Sequence, residues 1–314
     1  MSAEDHAGAV LVREVGPRDG LQMAHGIMPT DLKIRWIRAL AEAGLRSIEV
    51  GSFVPPKLIP QMADTGEVVA AVRDLPGLAV TALVPNLKGA QRAYRAGAAR
   101  IVVPVSVSES HSRANTNKGT DEAVAELGRI AAWARAEAPG LHVEAGCATA
   151  FGCSIEGAVS EARVVRVAES LVAAGAASLV LADTVGYGNP AQVRRLVAAV
   201  RSAVGDRLEA LHLHDTMGLG LANAYAGLES GIRQFDASLA GLGGCPYAPG
   251  ASGNIVTEDL VFMLESAGFS TGVDLNRLLA ARGFLAGGLP DEPLHGGVSR
   301  AGLPKTYATP HCPY

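Results

Sequence analysis

The sequence lacks the features that mark membrane proteins, disulfide-bonded proteins and nucleic-acid-binding proteins. No window reaches the roughly 18 consecutive apolar residues of a transmembrane helix. Four cysteines are spread over 314 residues without a C-x-x-C pair, so we expect free thiols and neither a disulfide framework nor a zinc site. The 27 Lys and Arg and the 31 Asp and Glu residues form no block of one sign, which argues against nucleic acid or an anionic membrane as a partner. A small-molecule partner is expected instead.

Lysine is scarce, and this bears on mechanism. None of the lysines falls within a predicted strand, which disfavours a Schiff-base lyase that depends on a strand-borne lysine. The lysines are Lys33, Lys57, Lys88, Lys118 and Lys305.

Residues 1–6 are polar and acidic, unlike a secretory signal, and we expect a cytoplasmic protein.

Apolar residues make up 48% of the chain, enough for a large core, and they occur in eight short runs that predict strands. Most runs are continuous rather than alternating, which is typical of parallel strands covered by helices. The predicted strands are Val10–Val15, Ser47–Gly51, Ala79–Val84, Ile101–Val105, His142–Ala148, Ser178–Ala182, Ala210–His214 and Gln234–Leu239.

Helical patterns lie between these strands. One opens at Thr30 and stops at Gly44, and another has Asn189 as its N-cap and Pro190 at its first position. Further helices are predicted over about 257–268 and 275–285. We therefore predict one α/β domain: a (β/α)₈ TIM barrel over about residues 10–268, with a helical extension and tail over about 269–314.

A doubly wound open sheet is the alternative fold. Such a sheet normally carries a glycine-rich fingerprint after its first strand, and the stretch from Gly16 to Gly20 does not match G-x-G-x-x-G.

Polar residues stand where several predicted strands end, which is where TIM barrels carry their chemistry. Asp183 follows the sixth strand directly, and Glu49 lies in the second. His212 and His214 end the seventh strand two residues apart, so both side chains face the same side and can hold one divalent cation. The alternative for such a pair is hydrogen-bonded core histidines.

Two loops add candidates. Arg18 and Asp19 lie in a Gly/Pro-bracketed turn, where they could form an enolate-stabilising site beside a metal or simply a surface ion pair. Cys245 lies in a Gly/Pro-rich loop after the eighth strand and could be an acid, a nucleophile or an inert thiol.

Four segments together resemble the 3-hydroxy-3-methylglutaryl-CoA lyase family. The order and spacing of the four agree with the family, and the resemblance runs from about Val10 to Leu285. The segments are VGPRDGLQ from Val15, SFVPPK from Ser52, HLHDT from His212 and GLGGCPYAPGASGN from Gly241 to Asn254.

This resemblance implies a metal-dependent retro-Claisen lyase that releases acetyl-CoA and a keto acid, acetoacetate in the parent reaction. Its motif positions place the cation ligands on Asp19, His212, His214 and Asn254, with Mg²⁺ or Mn²⁺ as the ion. They also place the enolate-stabilising arginine on Arg18.

The resemblance further implies a role for several residues around the substrate. Cys245 matches the loop cysteine that protonates the enolate, and Glu49 and Asp183 match surrounding acids. The first proton acceptor stays open among Asp19, Glu49 and Asp183, and we count His212 with the catalytic groups. An acyl-CoA thioester is the expected partner, and the chain is expected to form a homo-oligomer, a dimer.

The chain departs from the family at Gly51 and at Ala148-Thr149, positions that we expect to border the acyl pocket. A citramalyl-CoA-like or longer-chain 3-hydroxyglutaryl-CoA substrate therefore remains open. The alternative functions are a metal-dependent aldolase or Claisen synthase acting on a 2-keto acid, and a non-catalytic barrel that binds CoA thioesters.

Overall fold

Eight parallel strands close into a barrel in chain order, which confirms the predicted TIM barrel. The structure, a computed structural model, describes residues 7–243 and 253–307. The predicted strands all occur, with ends that differ by at most two residues. The strands are Leu11–Glu14, Ser47–Ser52, Ala79–Leu83, Arg100–Ser106, His142–Ala148, Ser178–Asp183, Leu208–Leu213 and Gln234–Ala237.

Helices follow the strands and cover the outside of the barrel. A π-helical turn over Gly16–Gly20 comes directly after the first strand, and 3₁₀ turns occur at Pro60–Met62, Gly205–Arg207 and Leu239–Gly241. The α-helices in the described ranges are Leu21–Met23, Thr30–Glu42, Thr65–Val72, Leu87–Ala96, Glu109–Thr116, Thr120–Glu137, Glu161–Ala174, Pro190–Val204, Gly220–Glu229, Thr257–Ser266, Leu275–Gly288 and Gly297–Ala301. Among them, none is both long and apolar enough to cross a membrane.

The helix ends follow from local chemistry. The Asn189 side chain accepts a hydrogen bond from the backbone N–H of Gln192 at 3.0 Å, which caps the helix that starts at Pro190. Gly44 has φ of +105°, and a Cβ there would lie 2.2 Å from the carbonyl oxygen of Gly272. Only glycine fits that position, so the helix from Thr30 ends there, as predicted.

The chain beyond the barrel packs back onto it. The helix Leu275–Gly288 lies against Thr30–Glu42, and the strand Phe269–Ser270 pairs in parallel with Ala7–Ala9. A short helix, Gly297–Ala301, lies within the stretch expected to be a tail. Its first N–H groups are bound by the carboxylate of Asp259, so a side chain from an earlier helix supplies the cap.

The inside of the barrel carries charge as well as apolar side chains. Arg13, Glu49, Glu144 and Asp236 all lie on barrel strands and are at most 5% exposed. Barrel interiors are normally filled by branched apolar residues. Burying charges costs free energy unless the charges are paired, so these four residues indicate a candidate functional site inside the barrel.

Candidate active site

The turn after the first strand is held by buried hydrogen bonds. The carbonyl oxygen of Val15 accepts from the N–H groups of Arg18 and Asp19, and the π-helical turn is closed by Leu21 N–H donating to the carbonyl oxygen of Gly16. The Glu14 carboxylate accepts from Gly16 N–H at 2.8 Å, from Leu239 N–H at 2.9 Å and from the Thr257 hydroxyl at 2.7 Å. Burial raises the pKa of Glu14 to about 7. These hydrogen bonds fix the position of the turn that carries Arg18 and Asp19.

Asp19, His212 and His214 bring three ligand atoms together at the mouth of the barrel. The Nε2 atoms of the two histidines lie 3.1 Å apart, and Asp19 Oδ2 lies 3.8 Å from that of His212 and 3.6 Å from that of His214. We call these three residues the cation cluster, because their ligand atoms all lie within 4.8 Å of one another.

A short antiparallel bridge adds Asn254 to this cluster. The backbone of His214 pairs with that of Asn254, and the N–H of Ile255 donates to the carbonyl oxygen of Leu213 at 3.1 Å. The Asn254 amide donates to Asp19 Oδ2 at 2.7 Å, while its Oδ1 is buried and has no hydrogen-bond partner among the described residues. Sequence patterns do not predict this bridge, since Asn254 lies outside the predicted strands.

Behind His212 runs a line of buried ion pairs. Asp236 Oδ2 lies 3.1 Å from His212 Nδ1, and Asp236 Oδ1 lies 2.7 Å from Arg13 Nε. Arg13 in turn donates to both oxygens of Glu144, at 2.7 and 2.8 Å. Burial disfavours the charged imidazolium, but Asp236 and Asp19 outweigh it and raise the pKa of His212. Asp236 therefore orients the ring whose Nε2 faces the cluster.

Arg18 connects the cluster to a second acid. It pairs with Asp19 Oδ1, and its Nη2 lies 2.8 Å from Glu49 Oε2. Burial would raise the pKa of Asp19, but the Arg18 guanidinium and the neighbouring histidines hold it well below its usual range. Burial raises the pKa of Glu49, and within the described part of the chain its buried Oε1 has no hydrogen-bond partner. Arg18 therefore lies between an ionised Asp19 and a Glu49 whose pKa is raised.

Five of the predicted residues meet in one cavity of about 620 Å³. Its size is typical of ligand pockets. Arg18, Asp19, Glu49, His212 and His214 line it together with Arg13, Glu144 and Asp236.

Other predicted residues lie elsewhere. Both oxygens of Asp183 accept backbone N–H groups, from Tyr187 at 3.0 Å and from Gly188 at 2.9 Å, and the residue is absent from the cavity lining. Asp183 thus braces the turn after its strand. Cys245 lies outside the described residues.

The expected acyl-pocket border is only partly correct. Ala148 lines the cavity, but a Cβ at Gly51 would meet the Thr65 hydroxyl at 2.5 Å, on a helix outside the barrel. Gly51 allows close packing of that helix and does not border the cavity. Thr149 is fully buried, and its N–H donates to the Thr184 hydroxyl at 2.7 Å.

The sequence patterns assign no role to the buried charges Arg13, Glu144 and Asp236. A signal was present, because each is a charged residue inside a predicted apolar strand. Alternation alone does not tell which face of a strand turns inward, so the signal could not be placed.

The family model described as HMGL-like matches residues 9–285 of the chain. Mitochondrial hydroxymethylglutaryl-CoA lyase of Mus musculus is 44% identical over 276 residues, which cover 88% of this chain and 84% of that protein.

Solved structures are similar over nearly the whole chain. An HMG-CoA lyase from Bacillus subtilis has a TM-score of 0.89 and 41% identity, covering 93% of this chain and 97% of that one. An HMG-CoA lyase from Acinetobacter baumannii in complex with coenzyme A and 3-methylmalate has a TM-score of 0.89 and 39% identity, covering 98% and 99%.

Proposed function

The chain belongs to the HMGL-like family, and from that premise we propose that it cleaves 3-hydroxy-3-methylglutaryl-CoA, or a close 3-hydroxyacyl-CoA, to acetyl-CoA and the corresponding keto acid. It is a carbon–carbon lyase. The observation that carries the reaction is the meeting of the cation cluster with Arg18 and Glu49 in one cavity. With the parent substrate, the keto acid is acetoacetate.

The cation cluster fits a divalent metal ion. A carboxylate oxygen and two imidazole nitrogens converge, and the unpartnered Oδ1 of Asn254 can complete the set. We assign the ligands as Asp19, His212, His214 and Asn254, and the ion as Mg²⁺ or Mn²⁺. When bound, the ion supplies a Lewis acid that polarises substrate oxygens.

The chain's own residues handle the proton and the developing charge. Glu49 is the best candidate for the proton acceptor, because its pKa is raised and no described residue hydrogen-bonds its Oε1. Asp19 is held ionised by Arg18, and Asp183 is bound to backbone N–H groups. Loss of the 3-hydroxyl proton lets the C–O bond become C=O as the C2–C3 bond breaks. The electron pair of that bond passes to C2, the carbon next to the thioester carbonyl, and the charge is shared with the carbonyl oxygen as an enolate.

Arg18 faces that enolate oxygen and stabilises its charge. The enolate carbon then takes a proton to give acetyl-CoA. Cys245, assigned from the family motif, stays the predicted donor, and His212 completes the catalytic set. Since Cys245 must hold a proton in order to give it, the proposal requires a neutral thiol at neutral pH.

The test is acetyl-CoA release from a panel of 3-hydroxyacyl-CoA thioesters, with Mg²⁺, with Mn²⁺ and after chelation. We expect release from 3-hydroxy-3-methylglutaryl-CoA or a close analogue only with metal. Condensation of a 2-keto acid with acetyl-CoA would favour the synthase alternative, and tight CoA binding without turnover would favour a binding protein.

We further propose a cytoplasmic homodimer and a single domain, with the barrel over about 10–268 and an extension over about 269–314. The contact of Leu275–Gly288 with Thr30–Glu42 supports the single domain. Light scattering tests the dimer, and limited proteolysis tests the domain.

A further inference from the structure

The cavity continues from the cation cluster into the barrel, where it meets small side chains on neighbouring strands. Barrel interiors are normally filled by layers of bulky residues. Here the fifth strand turns Gly146 and Ala148 inward and the sixth strand Ala182, so part of the interior stays open. We call this part the side pocket. Its walls are Val102, Pro104, Gly146, Ala148, Val180 and Ala182.

Strand register places the side pocket just beneath the reacting groups. Ala182 pairs with His212 of the cation cluster. Val180, two residues earlier on the same strand, pairs with Gly146. Because a strand rises about 3.3 Å per residue, Gly146 lies roughly 7 Å deeper than His212 along the strands. A group attached to a carbon near the cluster can therefore extend into this space.

Neither the backbone nor the packing requires glycine at position 146. Its φ lies outside the left-handed region, and among the described residues a Cβ there would meet a single heavy atom within 4 Å, Val102 Cγ1 at 3.4 Å. That is an ordinary van der Waals contact. Gly51 differs, since its Cβ would clash with Thr65. The open space at Gly146 is therefore available to a ligand.

The side pocket favours an apolar group over a charged one. All six walls are uncharged, and the floor is the Arg13–Glu144 pair, in which each charge already has a buried partner. A carboxylate placed there would lose its hydration without gaining a free cation.

We infer that the side pocket receives the substituent on the 3-carbon of the substrate, and that the chain prefers 3-hydroxyglutaryl-CoA thioesters with a short alkyl chain in place of methyl. This inference rests on the proposed lyase function. With a butyl chain, cleavage of the same C–C bond gives acetyl-CoA and 3-oxoheptanoate.

The activity test compares 3-butyl-3-hydroxyglutaryl-CoA with 3-hydroxy-3-methylglutaryl-CoA. Each added methylene in an apolar pocket changes kcat/KM by about 10- to 200-fold, and we expect the wild type to favour butyl by at least about 10-fold. The series Gly146→Ala, Gly146→Val and Gly146→Leu should lower the butyl-to-methyl ratio progressively, by about 100-fold or more at leucine. Val102→Ala, which widens the pocket, should not lower the ratio. A ratio that Gly146→Leu leaves unchanged would overturn the inference.

A binding test separates this inference from the lyase reaction. The analogues 3-butylglutaryl-CoA and 3-methylglutaryl-CoA lack the hydroxyl and are not cleaved, so calorimetry reports their affinity alone. We expect tighter binding of the butyl analogue by the wild type and loss of that preference in Gly146→Leu, with thermal unfolding confirming that each variant is folded. Equal affinities of the wild type for the butyl and methyl analogues would contradict the role assigned to the side pocket. Preferred butyl binding without cleavage of either substrate would overturn the lyase function alone.

Discussion

Arg18 lies between an acid that is held ionised and an acid whose pKa is raised, and its charge is neutralised by both in the ground state. In the proposed reaction, an enolate oxygen appears only as the C–C bond breaks. The arginine is therefore placed to act on the transition state more than on substrate binding, and such interactions alter kcat more than KM.

We expect Arg18→Gln to lower kcat by about 100- to 1,000-fold and to change KM little, as for the loss of one oxyanion donor. Steady-state kinetics checks this. Arg35→Gln is the matched control, since Arg35 pairs with Asp31 at 3.2 Å on the exposed face of a helix, and it should keep full activity. Turnover of Arg18→Gln within a few-fold of wild type would contradict the role.

Asp236 acts through His212 and is a positioning residue. A carboxylate at Nδ1 fixes the tautomer, so that the Nε2 lone pair faces the cation cluster. We expect Asp236→Asn to weaken Mn²⁺ affinity by about 10- to 100-fold, as is typical for such partners, measured by calorimetry on the apoprotein.

The control for Asp236→Asn is Asp64→Asn. Asp64 pairs with the buried Lys33 at 2.7 Å outside the cation cluster. Its loss should lower thermal stability without changing Mn²⁺ affinity. If both variants lose stability and neither loses affinity, Asp236 has a structural role only.

At the scale of elements, Glu14 joins three parts of the barrel rim. Its carboxylate holds the turn after the first strand, the 3₁₀ turn that begins at Leu239 and the helix that begins at Thr257. Burial raises its pKa from the usual value of 4.5 to about 7. The folded protein therefore binds a proton between these two pH values that the unfolded chain has released.

It follows that this group stabilises the fold fully below about pH 4.5, and that its contribution falls as pH rises to about 7. The contribution of Glu14 to the free energy of unfolding falls by at most about 3 kcal/mol over this pH range. Glu14→Gln should remove this part of the pH dependence, as urea unfolding at pH 5, 6 and 7 would measure. The exposed Glu42→Gln is the control. A stability–pH slope in Glu14→Gln equal to that of wild type would assign the effect to another group.

At the scale of the whole molecule, the sequence predicts the strands better than the site. His142–Ala148 has the predicted bounds, because a short, mostly apolar run is a local signal. The eighth strand ends at Ala237 rather than Leu239, since Ser238 leads into a turn in which Ala240 has φ of +59°. Turns of this kind depend on neighbouring elements.

The cation cluster was predicted through family motifs and the spacing of His212 and His214, whereas the ion pairs behind it were not. Arg13, Glu144 and Asp236 come from three strands, and their partners are set by barrel closure and register. The side pocket is equally non-local, because a glycine in a strand indicates open space only when its surroundings are known. Contacts between distant strands are the part that one sequence does not supply.

The proposed cation ligands come from the turn after the first strand, the end of the seventh strand and the segment that follows the eighth, so an ion held there would join distant parts of the chain. An ion that binds only the folded state stabilises it by about 2.7 kcal/mol at 100 times its Kd. We therefore expect Mn²⁺ to raise Tm by several degrees and EDTA to reverse this rise.

The variant His214→Ala tests the ligand assignment. It should bind Mn²⁺ at least about 10- to 100-fold more weakly, and the same Mn²⁺ concentration should change its Tm little. The His25 imidazole, which is 94% exposed and lies 3.0 Å from Glu292, offers His25→Ala as a variant that keeps the wild-type shift. A full shift in His214→Ala would mean that the stabilising ion binds elsewhere, and the ligand assignment would fall with it.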